Sequence, residues 1–144
     1  MIELIVGEKG KGKSKTMVAK AVNDSKLTGC NILFIDVNNK YSDELNEYVK
    51  LINIQEYNIN TKDMFLGFIY GILSQNNSLD KIFIDNILSM ISLSIISNGN
   101  SILEYVIEEL QIISEKYETD FVIGLSMNAD SISGKLKDYI TISL

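Results

Sequence analysis

Six short apolar runs of strand length recur along the chain, and segments with helical periodicity lie between them. The runs are rich in β-branched residues, which pack well in buried strands. The strands predicted in this way are residues 2–6, 31–36, 51–54, 81–85, 121–126 and 139–144. The third run is the shortest, and we expect it at an edge of the sheet.

Apolar residues three and four positions apart predict amphipathic helices in the intervening segments. The main helices are expected at residues 13–24, 61–75 and 101–117. Ser101 and Glu104 have the spacing of a capping box, which would begin the last of these helices. A shorter helix, capped by Ser42, would turn Leu45, Tyr48 and Val49 inward.

Strands that alternate with helices predict an α/β fold, a three-layer sandwich with a mostly parallel sheet covered on both faces. The 144 residues contain no linker, repeat or low-complexity block, so we expect a single domain over residues 1–144. The N-terminus does not resemble a signal peptide, and the longest apolar stretch, residues 86–97, is too short to span a bilayer. We therefore expect a soluble cytoplasmic protein that does not bind membranes.

The composition removes several classes of mechanism. The chain has no His, and all 13 of its basic residues are Lys, so Ser-His and Cys-His dyads, His-rich zinc sites and guanidinium recognition of phosphate are excluded. Cys30 cannot form an internal disulfide, and we interpret it as a buried structural thiol. Residues 1–26 carry six Lys against three acids, whereas residues 27–144 carry seven Lys against 16 acids. A basic corner on an acidic body indicates a local anion site and not a nucleic-acid track.

The basic corner contains the pattern G-x-x-x-x-G-K-[ST] between a predicted strand and a predicted helix, the context that a phosphate-binding loop requires. Its glycines let successive N–H groups point at phosphate oxygens, and the helix that follows offers its positive end to the same anion. Lys13, expected to be exposed, would reach the β- and γ-phosphates and act in catalysis, and the Ser14 hydroxyl would bind Mg²⁺. The predicted nucleotide-binding residues of the loop are Gly7, Glu8, Lys9, Gly10, Lys11, Gly12, Lys13, Ser14 and Lys15.

Two features of the loop need separate interpretation. Lys9, Lys11 and Lys15 either add positive potential for a polyanionic nucleotide or are exposed loop charges. Glu8 stands where ParA-like and MinD-like ATPases carry a signature Lys, so the loop does not resemble that branch.

Two predicted strands end in an acid, and a phosphate-bound Mg²⁺ needs a carboxylate near the phosphate loop. Asp85 ends an apolar strand in the manner of a Walker B motif and is the predicted metal residue; the alternative is that it caps a helix at residues 86–97. Asp36 would either orient or deprotonate the attacking water, a catalytic role, or cap the Asn38-Asn39 turn. Ser126 and Asn128 follow the fifth strand, where they would contact the γ-phosphate.

Taken together, the phosphate loop, the strand ending at Asp85 and the strand ending in small polar residues resemble a minimal RecA-like P-loop NTPase core. The segment Gly134-Lys135-Leu136-Lys137-Asp138-Tyr139 before the last apolar run is also similar to that family. The resemblance implies that Lys135 and Lys137 act as catalytic fingers on the nucleotide of a neighbouring subunit. The chain is similar, too, to short uncharacterised bacterial P-loop proteins labelled by analogy with twitching-motility ATPases.

The chain departs from these families at positions that matter for hydrolysis. Asn86 follows Asp85 where many such ATPases have a Glu, and no Arg finger can come from this chain or from a copy of it. The leading hypothesis is therefore a protein that binds ATP, or another nucleoside triphosphate, with Mg²⁺ and hydrolyses it slowly or when stimulated by a protein partner or a second copy of the chain. The alternatives are a non-enzymatic nucleotide-sensing module and, less favoured for want of Arg and a lid, a small kinase. A GTPase is weaker still, because the chain lacks D-x-x-G after a strand and the Asp of N-K-x-D.

Overall fold

A computed structural model describes residues 1–27, 29–45, 49–91 and 99–144. The strands are β1 (Ile2–Val6), β2 (Ile32–Asp36), β3 (Val49–Asn53), β4 (Lys81–Asp85), β5 (Asp120–Leu125) and β6 (Ile140–Ser143). The α-helices are α1 (Lys13–Lys26), α2 (Lys62–Gln75), α3 (Ile87–Met90), α4 (Gly99–Tyr117) and α5 (Gly134–Lys137). Two 3-10 helices span Ile54–Tyr57 and Ala129–Ser131.

The six strands form one sheet in the order β3-β2-β4-β5-β1-β6, and every neighbouring pair is parallel. The predicted α/β class and the edge position of the third strand are confirmed. Strand β5 lies between β1 and β4, so the strand that leads into the glycine-rich loop does not touch the strand that ends at Asp85. In the pairing of β2 with β4, Asp36 stands directly opposite Asp85.

Apolar side chains pack on both faces of the sheet, because alternate residues of each buried strand point in opposite directions. On one face, α1 contributes Met17, Val18 and Ala21 to a cluster with Phe34 and Phe83. On the other face, a larger cluster joins the strands to α2, α3 and α4. Helices on both faces of an all-parallel sheet are consistent with the predicted three-layer sandwich.

Several predicted helix boundaries differ from those in the structure. The helix α4 already includes Gly99, so Ser101 lies inside its first turn, and the predicted capping box at Ser101 and Glu104 is wrong. Residues 41–45 form turns and a bend instead of a helix begun by Ser42, and Val49 belongs to β3, because pairing with β2 satisfies its backbone better than a short isolated helix would. Tyr48 and residues 92–97 of the helix considered at 86–97 lie outside the described residues. Within the described ranges, no helix has both the length and the apolar character needed to cross a membrane.

Candidate functional site

A cleft lies along the sheet edge where the carboxyl ends of the parallel strands meet, the usual position of ligands in open α/β sheets. Its volume is about 640 Å³, and we refer to it as the edge cleft. It is lined by Glu8, Lys9, Gly10, Gly12, Lys13, Ser14, Lys15, Asp36, Val37, Asn38, Lys40, Tyr41, Asp85, Asn86, Ser89 and Ser126. Residues that are far apart in the chain, from the loop after β1 and the ends of β2, β4 and β5, are therefore brought together at one place.

The glycine-rich loop connects β1 directly to α1. Gly10 and Gly12 have φ values of 90° and 84°, in the left-handed region that side chains with a Cβ rarely adopt. Gly12 is the N-cap of α1, and no side chain caps the helix there. The first N–H groups of α1 have no helical acceptor, and they belong to residues that line the cleft, an arrangement that can accept an anion.

Lys13 and Ser14, at the start of α1, both bind the carboxylate of Asp85. Lys13 Nζ lies 3.2 Å from Asp85 Oδ1, and Ser14 Oγ donates to Asp85 Oδ2 at 2.6 Å. Lys13 is only 7% exposed, so the prediction that it is exposed is wrong. The physical reason is that Asp85 is buried, and a buried carboxylate is stable only with a countercharge and hydrogen-bond donors within reach.

The alternative role considered for Asp85, capping the helix that follows, belongs instead to Asn86. Asn86 is the N-cap of α3, and its Oδ1 accepts from Leu88 N at 3.4 Å. The same oxygen accepts from Ser126 N at 3.3 Å, which joins the end of β4 to the end of β5. The Asp85–Asn86 peptide bond is cis. Since Asn86 caps α3, Asp85 does not, and its carboxylate contacts the first two residues of α1.

Asp36 is the second buried acid of the edge cleft, 4% exposed. Burial raises its pKa from the ordinary value of 3.8 to about 6, and the charge of Asp85 adds to this effect against the hydrogen bond from Val37. Asp36 Oδ1 accepts from Val37 N at 2.6 Å, whereas Asn38 Oδ1 holds the turn by accepting from Lys40 N at 2.9 Å. Asp36 thus supports the start of the turn and also faces the cleft.

Five of the predicted site residues do not line the edge cleft. Gly7 is buried, and a Cβ there would lie 3.0 Å from Leu144 Cβ, whereas Lys11 is exposed. Asn128 caps the 3-10 helix Ala129–Ser131 by accepting from Asp130 N at 2.9 Å. Lys135 Nζ lies 4.0 Å from Glu104 Oε2, and Lys137 is exposed. The role predicted for Lys135 and Lys137 on another subunit stays a prediction.

The sequence interpretation missed several residues of the site. Asn38, Lys40, Tyr41 and Ser89 line the cleft because the segments after β2 and β4 follow strands that end beside the loop. These four residues closely follow Asp36 or Asp85, and that position in the sequence could have predicted that they line the cleft. Gly124 was also missed: a Cβ there would lie 2.6 Å from Met17 Sδ and 3.0 Å from Asp85 Oδ1. Its lack of a side chain lets α1 and Asp85 approach the sheet.

Two donors of the predicted metal site, Ser14 and Asp85, are adjacent. No group of three or more Cys, Asp or Glu side chains that could hold a metal ion occurs among the residues that the structure describes. A complete protein cage is not what Mg²⁺ requires, since it keeps several waters and is usually held by one or two protein oxygens together with substrate phosphates. The hydroxyl and carboxylate at 2.6 Å from each other fit that incomplete ligand set.

The chain was compared with known proteins: no protein-family profile matches it, and no match was found among curated proteins.

Proposed function

We propose that the chain is a P-loop protein of RecA-like type that binds ATP, or another nucleoside triphosphate, with Mg²⁺ in the edge cleft. The observation that carries this proposal is the contact of Lys13 and Ser14 with Asp85. The glycine-rich loop predicted Lys13 as a phosphate ligand and Ser14 as a metal ligand, and a distant strand predicted Asp85 as the second metal ligand. The order of the strands supports it as well, because it sets the loop after β1 beside the acids that end β4 and β2.

The charges of the site favour a polyanion with its cation. Lys9, Lys15 and Lys40 line the cleft with exposed ammonium groups, and Lys13 adds a buried one. In the ligand-free structure Lys13 forms an ion pair with Asp85, and Ser14 donates a hydrogen bond to it. A triphosphate could replace Asp85 as the partner of Lys13, and a cation could replace Lys13 and Ser14 as the partner of Asp85. Lys13 then moves from the carboxylate to phosphate oxygens, and Ser14 turns its oxygen toward the metal. When bound, Mg²⁺ supplies positive charge that offsets the charge developing on the phosphates.

The residues that would assist hydrolysis are few. Asn86 is committed to Leu88 and Ser126, and a carboxamide does not accept a proton from water. Asp36 and Glu8 are the carboxylates of the cleft without an ion pair among the described residues, and of these two Asp36 is the buried one, which would orient a water molecule. We therefore propose slow hydrolysis, or hydrolysis stimulated by a partner, and locate any general base at Asp36.

Equilibrium binding of a fluorescent ATP analogue, measured with and without Mg²⁺, tests the proposal directly. We expect saturable, Mg²⁺-dependent binding that Lys13→Gln weakens at least about tenfold, since a charge-assisted contact is worth about 1.5–3 kcal/mol. Gln keeps a donor beside Asp85 and limits the loss of stability. Lys26→Gln, at the exposed far end of the same helix, is the matched control and should bind like the unaltered protein. Equal binding by the Lys13 and Lys26 variants would contradict the proposal.

A nucleotide-sensing module without turnover is the second candidate. The hydrogen bonds that occupy Asn86 favour it, because they leave the position after Asp85 without a proton acceptor. A single-turnover measurement of phosphate release separates the two functions. Release that depends on Asp36 supports the hydrolase, and bound ATP that stays intact supports the sensor.

A further inference from the structure

A second, smaller pocket adjoins the edge cleft. Its volume is about 260 Å³, and Val37 and Ser89 line both cavities, so the two adjoin at these residues. Three carboxamide side chains, those of Gln55, Asn58 and Asn60, line the rest of it above the buried Ile54. We call this cavity the amide pocket. It sits where β3 passes into the 3-10 helix Ile54–Tyr57, at the same edge of the sheet as the cleft.

The polar groups of the amide pocket are available to a ligand. Among the described residues, no hydrogen bond involves the side-chain amide of Gln55, Asn58 or Asn60, or the hydroxyl of Ser89. Carboxamides and a hydroxyl donate and accept at once, as the hydroxyls of a sugar or the edge of a nucleobase require. None of the described residues that line this pocket is a Lys, Asp or Glu, so its chemistry selects an uncharged molecule. The volume is just below the usual range for ligand pockets, which limits the occupant to a small molecule.

The position of the amide pocket relative to the triphosphate site distinguishes its occupant from the nucleotide. Across the carboxyl edge the order is β1, β5, β4, β2 and β3, so the loop is followed by Asp85, then by Asp36, then by the amide pocket. The loop amides hold the α- and β-phosphates of a bound nucleotide, and Lys13 reaches toward the γ-phosphate. A Mg²⁺ ion held by Ser14 and Asp85 would draw the γ-phosphate toward the end of β4, so the nucleoside would lie at the other end of the bound triphosphate. The amide pocket is thus on the far side of the γ-phosphate from the nucleoside.

We propose that the amide pocket binds a small uncharged hydroxyl compound, a nucleoside or a sugar, as the acceptor of the γ-phosphoryl group. This inference rests on the proposed nucleotide function and adds its second substrate. The acceptor oxygen forms a bond to the γ-phosphorus while the bond from that phosphorus to the β–γ bridging oxygen breaks. The hydroxyl proton passes to the Asp36 carboxylate, which lines the edge cleft and precedes Val37, a residue that lines both cavities. The products are a nucleoside diphosphate and the phosphorylated acceptor.

The first test measures binding of the acceptor without any turnover. The ¹⁵N-labelled protein is titrated with uridine, thymidine, D-ribose, D-glucose and myo-inositol, in separate samples, while the side-chain NH₂ signals of Gln55, Asn58 and Asn60 are followed by NMR. We expect at least one compound to shift these signals saturably, and Asn60→Leu or Gln55→Leu to weaken that binding about tenfold, the effect of one or two lost hydrogen bonds. Asn77→Leu is the matched control, because Asn77 is an exposed carboxamide before β4, at the opposite end of the sheet.

The second test follows the label from ATP labelled in its γ-phosphate, in the presence of Mg²⁺ and each of the same five compounds. We expect the compound that binds to receive the label and to speed ATP consumption at least about 100-fold over water alone, since a positioned acceptor and base contribute factors of this size. Asn60→Leu should lower the transfer and leave ATP binding unchanged.

The outcomes separate this inference from the proposed function. If AMP-PNP shifts the Gly10 and Gly12 amides but none of the five compounds shifts the carboxamides or accepts label, the acceptor site is wrong and the nucleotide site stands. A compound that binds the amide pocket beside bound ATP and receives no label also overturns the acceptor role. If AMP-PNP leaves Gly10 and Gly12 unchanged, the proposed nucleotide function itself fails, and the acceptor role with it.

Discussion

At the scale of single residues, the site is organised around one buried pair of unlike charges and one buried carboxyl without a cation. Lys13 and Asp85 have side chains that are 8% and 4% exposed, so neither charge is well solvated. Removing one partner of such a pair leaves the other charge buried and uncompensated. Asp36, in contrast, lowers the cost of its burial by keeping its proton to a higher pH.

We expect Lys13→Ala to lower the free energy of unfolding of the ligand-free protein by about 3–5 kcal/mol, because it strands the Asp85 carboxylate. The double substitution Lys13→Met with Asp85→Asn removes both charges and should recover most of the loss. Urea titration of the three proteins at pH 7 measures the difference. Equal stability of the unaltered protein and Lys13→Ala would contradict the burial and pairing of Lys13.

The raised pKa of Asp36 predicts a pH dependence of stability. Between about pH 4 and pH 6 the folded state retains a proton on Asp36 that the unfolded state, with a pKa near 3.8, has already released. The free energy of unfolding contributed by this group therefore falls as the pH rises through that window. Asp36→Asn should abolish this fall and stabilise the protein at pH 7 by about 3 kcal/mol, the free energy that corresponds to the rise in pKa from 3.8 to about 6. Urea titrations of both proteins at pH 4, 5, 6 and 7 measure it; parallel pH profiles would refute the assignment.

The two acids should also separate in nucleotide binding. Asp85→Asn should weaken the Mg²⁺ dependence of ATP binding, because Asp85 adjoins Ser14 at the proposed metal position. Asp36→Asn should leave binding intact and reduce turnover alone, by about 10²–10⁴ if it removes a general base. Titrating Mg²⁺ at fixed ATP analogue distinguishes them, and the reverse pattern would exchange the two roles.

At the scale of secondary-structure elements, the contact between α1 and the sheet sets the geometry of the site. The start of α1 carries Lys13 and Ser14, while Met17, one turn further on, packs over Gly124 in the middle of the sheet. Close packing there brings α1 near enough for both Lys13 and Ser14 to reach Asp85.

Gly124→Ala should therefore cost about 1–3 kcal/mol of stability, the usual range for overpacking, and should weaken ATP binding by displacing Asp85 or Met17. Gly67→Ala is its matched control, because Gly67 is an exposed helical glycine with open space around its Cβ position. That control should gain about 0.5–1 kcal/mol through its higher helix propensity. Thermal unfolding of both variants tests the contrast, and a gain in Gly124→Ala would show that the packing is looser than described.

At the scale of the whole molecule, the sequence contains no Arg, and Lys135 and Lys137 lie outside the edge cleft. Both features would limit the hydrolysis that we propose for a single chain. A supplied Arg finger is worth about 10³–10⁵ in rate, and this chain has no Arg that could act as one. We predict hydrolysis well below about 1 s⁻¹ for the dilute protein without an acceptor.

If the two lysines act on a neighbouring subunit, activity per chain should rise with protein concentration, and Lys135→Ala with Lys137→Ala should abolish the rise. The test is phosphate release measured over a roughly 100-fold range of protein concentration, since self-association depends on concentration. Fast, concentration-independent hydrolysis that survives the double substitution would identify Asp36 as a sufficient base.

Local pattern alone determined much of this protein. The strand positions, the α/β class and the edge position of β3 follow from runs of apolar residues whose burial the sheet requires. The loop at residues 7–14 and the acids Asp36 and Asp85 were found for a similar reason, since each stands where a strand ends. Each of these features depends on residues that are close together in the sequence, and the pattern of apolar and polar residues predicts such local structure.

Only the tertiary structure decided the rest. Three of these features depend on contacts between segments that are distant in sequence. They are the burial of Lys13 against Asp85, the hydrogen bond from Ser126 N to Asn86, and the close approach of Met17 to Gly124. The strand order is likewise a long-range property: it inserts β5 between β1 and β4, and it sets the amide pocket beyond Asp36. A sequence pattern reports which residues want to be buried or charged, but the partner that each one meets is chosen when the strands assemble and the helices pack against them.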